Sequence, residues 1–114
     1  TPYDQELAVA GQRFDTGLGV LANSRLEVRN AGFGRFTAKV GVDDSAIGGG
    51  QAVTFLIYGD GKLLGQSRPL KFGQAPQALG VDVGGVKLIE LVARASKPSP
   101  VPQPVTWGEA ALRR

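Results

Sequence analysis

The sequence predicts an all-β fold, an antiparallel β-sandwich built from short strands. Apolar and polar residues alternate with a period of two along much of the chain, and no stretch of ten or more residues repeats apolar positions at helical spacing. Of the 114 residues, 17 are glycine, about twice the ordinary share of roughly 7%. A chain of this length builds one hydrophobic core, so we expect a single domain over residues 1–114.

The predicted strands are eight runs of alternating character, and the segments between them carry turn chemistry. In chain order they cover residues 6–10, 19–22, 24–29, 34–42, 52–58, 62–66, 78–83 and 86–93. Asn30-Ala31-Gly32 and Gly84-Gly85 are typical of turns. Gly59-Asp60-Gly61 predicts a tight hairpin, because glycine adopts positive φ without steric cost. Short strands joined in this way predict a sandwich or a barrel.

The C-terminal part of the chain is interrupted by prolines. They occupy positions 98, 100, 102 and 104 and remove every second backbone donor. Residues 97–104 are therefore predicted to form an extended loop of polyproline type on the surface. A last short element is predicted at residues 106–112.

The segments 24–29 and 34–42 flank a short loop, which predicts that they pair as a hairpin. Placing Arg29 opposite Arg35 keeps the apolar residues of both segments on one buried face. The outer face then carries Arg25, Glu27, Arg29, Arg35, Thr37 and Lys39. This basic patch is either an ordinary solvated face or a surface for an acidic polymer.

The composition excludes several classes of enzyme site. The chain contains no histidine and no cysteine, so it has neither the usual general base near neutral pH nor a thiol nucleophile or thiolate metal ligand. A net charge of +3 is mild, and it does not favour a nucleic-acid partner. No apolar run reaches the roughly 18 residues of a membrane span. We therefore predict a protein that is not an enzyme.

Two adjacent carboxylates, Asp43 and Asp44, close a predicted strand and precede the glycines Gly48-Gly49-Gly50. With carbonyl oxygens of the same loop they would suit Ca²⁺. Alternatively, they accept hydrogen bonds from loop amides. They are badly placed as a glycosidase pair, because neighbouring residues of an extended strand point to opposite faces.

Trp107 is the single tryptophan, and two roles are open to it. An exposed ring would stack on the apolar face of a sugar. The apolar neighbours Val105, Ala111 and Leu112 favour a buried anchor instead. Asp82 alternates with two valines and is predicted to face outward.

Five segments occur in a familiar order between residues 10 and 110. They are Ala10-Gly11-Gln12-Arg13-Phe14 with Gly17-Leu18-Gly19-Val20-Leu21-Ala22-Asn23-Ser24, then residues 36–44, 53–61 and 79–88, and finally Trp107-Gly108-Glu109-Ala110. Together they resemble the NPCBM family, which overlaps carbohydrate-binding module family 51. The resemblance implies a sandwich of the jelly-roll, galactose-binding-domain-like type. It also implies a secreted bacterial glycoside hydrolase as the usual parent, and often a structural calcium ion.

The chain departs from the pattern of that family at two places. Leu21 stands where members commonly have histidine, and Pro104-Val105-Thr106 replaces a polar His-Ala-Asp before the tryptophan. Both changes remove groups that would orient a sugar or hold a cation.

The leading functional hypothesis is a non-catalytic carbohydrate-binding module on an extracellular or cell-surface protein. Its candidate ligand-binding residues are Asn23, Asp43, Asp44, Gln66 and Trp107, and its candidate calcium ligands are Asp43 and Asp44. The expected partners are a glycan or polysaccharide and other domains of the parent protein. The alternative is a structural or protein-interaction sandwich that has lost sugar binding, and an anionic-polymer binder using the basic patch is a third hypothesis.

Overall fold

The computed structural model describes residues 7–9, 12–14, 16–44, 51–97 and 103–114, and the all-β prediction is confirmed. These residues form strands and turns, and they include no helix that is long and apolar enough to cross a membrane. The strands are β1 (Leu7–Val9), β2 (Gln12–Phe14), β3 (Gly17–Leu21), β4 (Ser24–Arg29), β5 (Arg35–Val42), β6 (Val53–Gly59), β7 (Lys62–Gln66), β8 (Gln77–Asp82), β9 (Leu88–Ala95) and β10 (Pro104–Arg113).

Two antiparallel sheets of four strands face each other. The first sheet has the order β3-β10-β5-β8 and the second has the order β4-β9-β6-β7, while β1 and β2 pair separately. Apart from the consecutive strands β6 and β7, neighbours in the two four-stranded sheets are distant in the chain, so most connections cross between the layers, as in a jelly roll. Of the two architectures that the alternating pattern predicts, sandwich or barrel, the fold is the sandwich, which the family resemblance also implies.

The core lies between the inner faces of the two sheets. Its fully buried side chains include Val40, Val53, Phe55, Ile57, Ile89, Val105 and Trp107. Phe55 of the second sheet meets Trp107 of the first edge to face, with ring centroids 5.2 Å apart. Each large apolar side chain buried here contributes about 1.5–3 kcal/mol, so this aromatic pair is a main link between the layers.

The predicted hairpin at Gly59-Asp60-Gly61 is confirmed. Gly59 pairs with Lys62 across the β6–β7 turn, and Asp60 and Gly61 have φ values of 48° and 84°, as a type I′ turn requires. The Asp60 carboxylate also accepts hydrogen bonds from the backbone N–H groups of Lys87 and Leu88, the latter at 2.9 Å. The turn is thereby fastened to the start of β9.

The predicted hairpin between residues 24–29 and 34–42 is wrong. β4 pairs with β9 in the second sheet, whereas β5 pairs with β10 and β8 in the first. The inward faces were predicted correctly, since Leu26 and Val28 pack against the same core as Phe36. A period of two determines which face is buried, but it does not determine which strand lies alongside.

Asn30 holds the crossover from β4 to β5. Its Nδ2 group donates to the carbonyl oxygens of Phe33, Val83 and Val86 at 2.9–3.0 Å, and its Oδ1 accepts from the N–H of Phe33 at 3.0 Å. The predicted turn at this position is therefore a link between the two sheets, fixed by one side chain.

The remaining differences concern the ends of the chain. The short strand β2 was not predicted, and the last element extends over Pro104–Arg113 instead of residues 106–112. Most of the predicted polyproline loop, residues 98–102, and the glycines 48–50 lie outside the described residues. Asp82 is exposed, as predicted, and its Oδ1 accepts from the N–H of Gly84.

Candidate functional site

One end of the sandwich gathers the ends of six strands, and we call it the rim. It consists of residues 21–24 between β3 and β4, 43–44 after β5, 51–52 before β6, 95–97 after β9 and 103–104 before β10. Backbone hydrogen bonds connect these segments, including Ala22 N–H to Gln103 O at 2.8 Å and Asp43 N–H to Pro104 O at 3.0 Å. Three of the predicted site residues, Asn23, Asp43 and Asp44, lie here.

Asn23 is held rigidly in the β3–β4 turn. Its φ is 65°, a left-handed conformation that asparagine tolerates better than most residues. Its backbone N–H donates to Ala93 O at 2.6 Å, and its side-chain Oδ1 accepts from the N–H of Ala95 at 3.0 Å. The Nδ2 group makes no hydrogen bond with the described residues, so its donors are available to a ligand.

Asp43 has a structural partner at the rim. The residue is 5% exposed, and Thr106 is fully buried. The Thr106 hydroxyl donates to Asp43 Oδ2 at 2.6 Å, a short bond of the kind that a charged acceptor makes. This carboxylate therefore links the end of β5 to β10, while Asp44 beside it is half-buried.

The predicted calcium site needs more oxygen donors than Asp43 and Asp44 supply. Ca²⁺ takes six to eight oxygen ligands, which include backbone carbonyls. Among the described residues no group of three acidic, histidine or cysteine side chains could hold a metal ion. Residues 45–50, which follow the two aspartates, lie outside that part of the chain. Calcium at Asp43 and Asp44 therefore stays a prediction.

The structure does not bring Gln66 and Trp107 to Asn23. Gln66 is exposed at the end of β7, three strand spacings from β4, which corresponds to about 14 Å. Trp107 has 0% exposure, so its ring presents no face on which a sugar could stack. The buried-anchor alternative describes Trp107, and its assignment as a ligand-binding ring is corrected.

The two departures from the family pattern turn out to be one feature. Leu21 of β3 lies directly opposite Pro104 of β10. Leu21 is 51% exposed and precedes Asn23 by two residues in the chain. The rim therefore carries an apolar pair beside a polar turn. Sequence reasoning treated these substitutions separately, because the pairing of β3 with β10 joins distant parts of the chain.

A second surface lies on the outer side of the first sheet, on β10, β5 and β8. We call it the basic face; its polar residues are Arg35, Thr37, Lys39, Glu109 and Arg113, and they line a depression of about 300 Å³. Lys39 Nζ lies 3.4 Å from Glu109 Oε2. Sequence reasoning missed Arg113 here, because only the register of β10 against β5 brings it beside Arg35.

The predicted basic patch of four cations does not exist as one surface. Arg25 and Arg29 are on the outer side of the second sheet, on the opposite side of the sandwich from Arg35 and Lys39. Arg25 is paired with Glu90, with Nη1 and Oε2 3.2 Å apart.

Comparison with known proteins identifies the family of this chain. A family model described as the NPCBM/NEW2 domain matches residues 2–113. A Renibacterium salmoninarum protein named "Putative endo-alpha-N-acetylgalactosaminidase" is 36% identical over 86 residues, which make up 75% of this chain and 6% of that protein.

Two solved structures from Clostridium perfringens have the same fold. The CBM51-2 and INT domains of ZmpB, in complex with GlcNAc, superpose with a TM-score of 0.85 and 25% identity, covering 96% of this chain and 25% of that one. The CBM51 of a GH95 protein, in complex with methyl-galactose, gives a TM-score of 0.80 and 23% identity, covering 94% and 78%. The predicted resemblance is thereby confirmed, and this chain belongs to the NPCBM/NEW2 domain family.

Proposed function

We propose that this chain is a non-catalytic carbohydrate-binding module whose rim binds an N-acetylated hexose. The observation that carries the proposal is the likeness to the GlcNAc complex of CBM51-2, with 25% identity across 96% of this chain. The name of the R. salmoninarum relative points to a glycan with N-acetylated sugars as well.

The composition of the rim suits such a ligand. The Asn23 side chain is fixed through Oδ1, so its amide donors are preorganised for a sugar hydroxyl or an N-acetyl carbonyl. The exposed Leu21 beside it offers an apolar contact for the acetyl methyl group. A shallow site that exchanges well-solvated hydroxyls gains little from each hydrogen bond, so we expect dissociation constants from about 1 μM to 1 mM.

The composition of the chain supports a non-catalytic role. It has no histidine or cysteine, and Asp43 is buried and accepts a hydrogen bond from Thr106. This hydrogen bond supports a structural role for Asp43 at the rim.

The parent protein is part of the proposal. This chain spans 6% of the length of its R. salmoninarum relative and 25% of the ZmpB chain. We propose that it likewise accompanies a larger bacterial protein that acts on glycans outside the cell or at its surface. Its task would be to hold that protein on its substrate.

Calorimetry with single sugars tests the rim. GlcNAc and GalNAc should bind, and glucose and galactose should bind more weakly. Leu21→Ala should weaken GlcNAc binding about fivefold, because it removes apolar contact worth about 1 kcal/mol. Leu63→Ala is the matched control, since Leu63 is similarly exposed, at 47%, but lies on β7. Absence of heat with every neutral sugar would contradict the proposal.

A protein-interaction role is the second candidate, and one observation favours it. Leu21 of the edge strand β3 is 51% exposed and lies opposite Pro104 of β10, which suits an apolar partner surface. Co-purification of the parent protein's other domains that is lost in Leu21→Ala, without any sugar binding, would favour this candidate.

Calcium is a separate part of the proposal. If Asp43 and Asp44 hold Ca²⁺, adding the ion to chelator-treated protein should raise the melting temperature in a concentration-dependent way. A melting temperature that does not change would mean that the two aspartates only organise the rim.

A further inference from the structure

The basic face contains a like-charged pair that its own sheet does not neutralise. Arg35 of β5 and Arg113 of β10 lie directly opposite each other, and like charges at such positions destabilise a sheet. Neither guanidinium forms an ion pair with any described residue. The chain therefore holds two cations side by side at a cost that a bound anion would offset.

The nearest carboxylate on the strand next to Arg35 is engaged elsewhere. Asp82 lies opposite Arg35 on β8, but its Oδ1 accepts from the N–H of Gly84 at 2.8 Å. The Arg35 guanidinium instead lies over Gly80, where an added Cβ would come within 2.5 Å of Nη2. Glycine at this position lets the guanidinium lie along the sheet surface and line the depression.

The rest of the depression suits the hydroxyl groups of a sugar. Thr37 lies two residues beyond Arg35 on the same outer face of β5, and the Lys39–Glu109 pair lies beyond it. Small residues, Ala78 and Gly80, form its side along β8. One end of the depression therefore carries the two cations Arg35 and Arg113. The other end carries side chains that both donate and accept hydrogen bonds.

We infer that the basic face is a second glycan-binding site, specific for anionic saccharides. A carboxylate or sulfate group binds between Arg35 and Arg113, where planar guanidinium groups offer bidentate hydrogen bonds. The sugar hydroxyls meet Thr37, Lys39 and Glu109. This inference rests on the proposed function, and it adds a site eight residues away from Asp43 along β5, or about 26 Å.

A saccharide fits this face better than a nucleic acid does. The three cations of the depression share it with the carboxylate of Glu109, and Asp82 borders it. A phosphate backbone would meet these acids along its path, whereas a nucleic-acid site is a continuous basic stripe. A single anionic group on an otherwise hydroxylated ligand avoids that repulsion.

Calorimetry with two pairs of variants tests the inference. The probes are 3′-sialyllactose for a carboxylate, 6-sulfo-GlcNAc for a sulfate, GlcNAc for the rim, and a short DNA duplex. Arg35→Gln/Arg113→Gln should weaken binding of an acidic probe about tenfold or more, since charged hydrogen bonds are lost. The control Arg25→Gln/Arg29→Gln removes the same charge from the opposite face. It should change the affinity for an acidic probe less than about twofold.

Gly80→Ala tests the geometry at constant charge. Its methyl group displaces the end of the flexible Arg35 side chain, so acidic probes should bind several times more weakly while the unfolding transition and GlcNAc binding stay unchanged.

The outcomes separate this inference from the proposed function. If GlcNAc binds but neither acidic probe does, only the second site is overturned. The same holds if Arg35→Gln/Arg113→Gln and Arg25→Gln/Arg29→Gln lose affinity for an acidic probe to the same extent. Tighter binding of the duplex than of the saccharides would replace the glycan with nucleic acid at this face. Binding of an acidic probe that is lost in Arg35→Gln/Arg113→Gln supports the site even if GlcNAc fails to bind. Failure of every saccharide overturns both.

Discussion

The two outer faces of the sandwich carry the same net charge but arrange it in opposite ways. The outer sides of β10, β5 and β8 hold Arg35, Lys39, Arg113, Asp82 and Glu109, and those of β4, β9 and β6 hold Arg25, Arg29, Arg94, Glu27 and Glu90. Each set sums to one positive charge. The first set contains a like-charged cross-strand pair, Arg35 and Arg113, beside the oppositely charged pair of Arg35 and Asp82. The second set contains a like-charged pair of two glutamates, Glu27 and Glu90.

The second face resolves its like-charged pair internally. Arg25 forms an ion pair with Glu90, and Leu56 and Val92, which face the same side, are only 7% and 6% exposed. The basic face instead has an open depression, which Ala78 lines along β8 and over which the Arg35 side chain lies at Gly80. Net charge therefore does not reveal a binding face, whereas the register of neighbouring strands does.

The largest expected effect on stability is at Trp107, which lies in the core between the two sheets. Trp107→Ala should lower the free energy of unfolding by about 3–5 kcal/mol, because Trp107 is fully buried against Phe55. Trp107→Phe keeps a ring at that contact and should cost less. Urea unfolding followed by circular dichroism measures both, and a stability loss below about 1 kcal/mol for Trp107→Ala would contradict the assignment of Trp107 to the core.

The second largest expected effect on stability is at Asn30, which holds the crossover from β4 to β5. This crossover places the cations of β4 and those of β5 on different sheets. Asn30→Ala should cost about 1–3 kcal/mol, since it leaves backbone carbonyls without their donor. Asn30→Asp keeps the acceptor for Phe33 N–H but loses the donors, so most of that loss should remain. Equal stability of Asn30→Asp and wild type would mean that the Nδ2 bonds contribute little.

The second sheet should also respond to acid through Asp60. The N–H groups of Leu88 and then Lys87 hold the pKa of this carboxyl below its usual 3.8. Because the folded-state pKa is the lower one, the stabilisation is complete above the unfolded pKa. It is lost as the pH falls through the folded value.

The variant Asp60→Asn tests this pH dependence. Asparagine keeps the turn and an acceptor but does not titrate, so the fall of the melting temperature below pH 4 should become shallower. An unchanged slope would assign the acid sensitivity to other carboxyls.

The smallest expected effect on stability is that of Glu90→Gln, which tests how the two outer faces differ. Glu90→Gln removes the partner of Arg25 and should change the unfolding free energy by less than about 1 kcal/mol, because Arg25 is well exposed and the substitution also removes the repulsion between Glu27 and Glu90. It should also remove the acidic cross-strand pair and give the second face a weak affinity for 3′-sialyllactose. No gain in binding would show that releasing Arg25 is not enough and that an open depression is needed as well.

The sequence predicted the layers and faces of this fold better than its strand partners. Alternation placed Leu26, Val28 and Phe36 inward correctly, because burial repeats every second residue in any strand. It could not distinguish a hairpin from a crossover at Asn30, since both need a short turn. The hydrogen bonds from Asn30 to Val83 and Val86 depend on contacts between distant parts of the chain.

The sequence predicted some residues of the candidate sites and missed others. Asn23, Asp43 and Asp44 meet at the rim because each follows the end of a strand, and strand ends are visible in the sequence. Trp107 was named as a candidate ligand-binding ring although its apolar neighbours favoured a buried anchor, and the structure agrees with those neighbours. Arg113 was missed because only the register of β10 against β5 places it opposite Arg35.

Mapping ligand contacts on the ¹⁵N-labelled chain by NMR tests the central claim most directly. With GlcNAc, amide signals should shift around Asn23 at the rim. With 3′-sialyllactose, signals of β5 and β10 around Thr37 and Arg113 should shift as well, while those of Glu27 and Glu90 should not. Shifts centred on Glu27 and Glu90, or none with either sugar, would contradict the account.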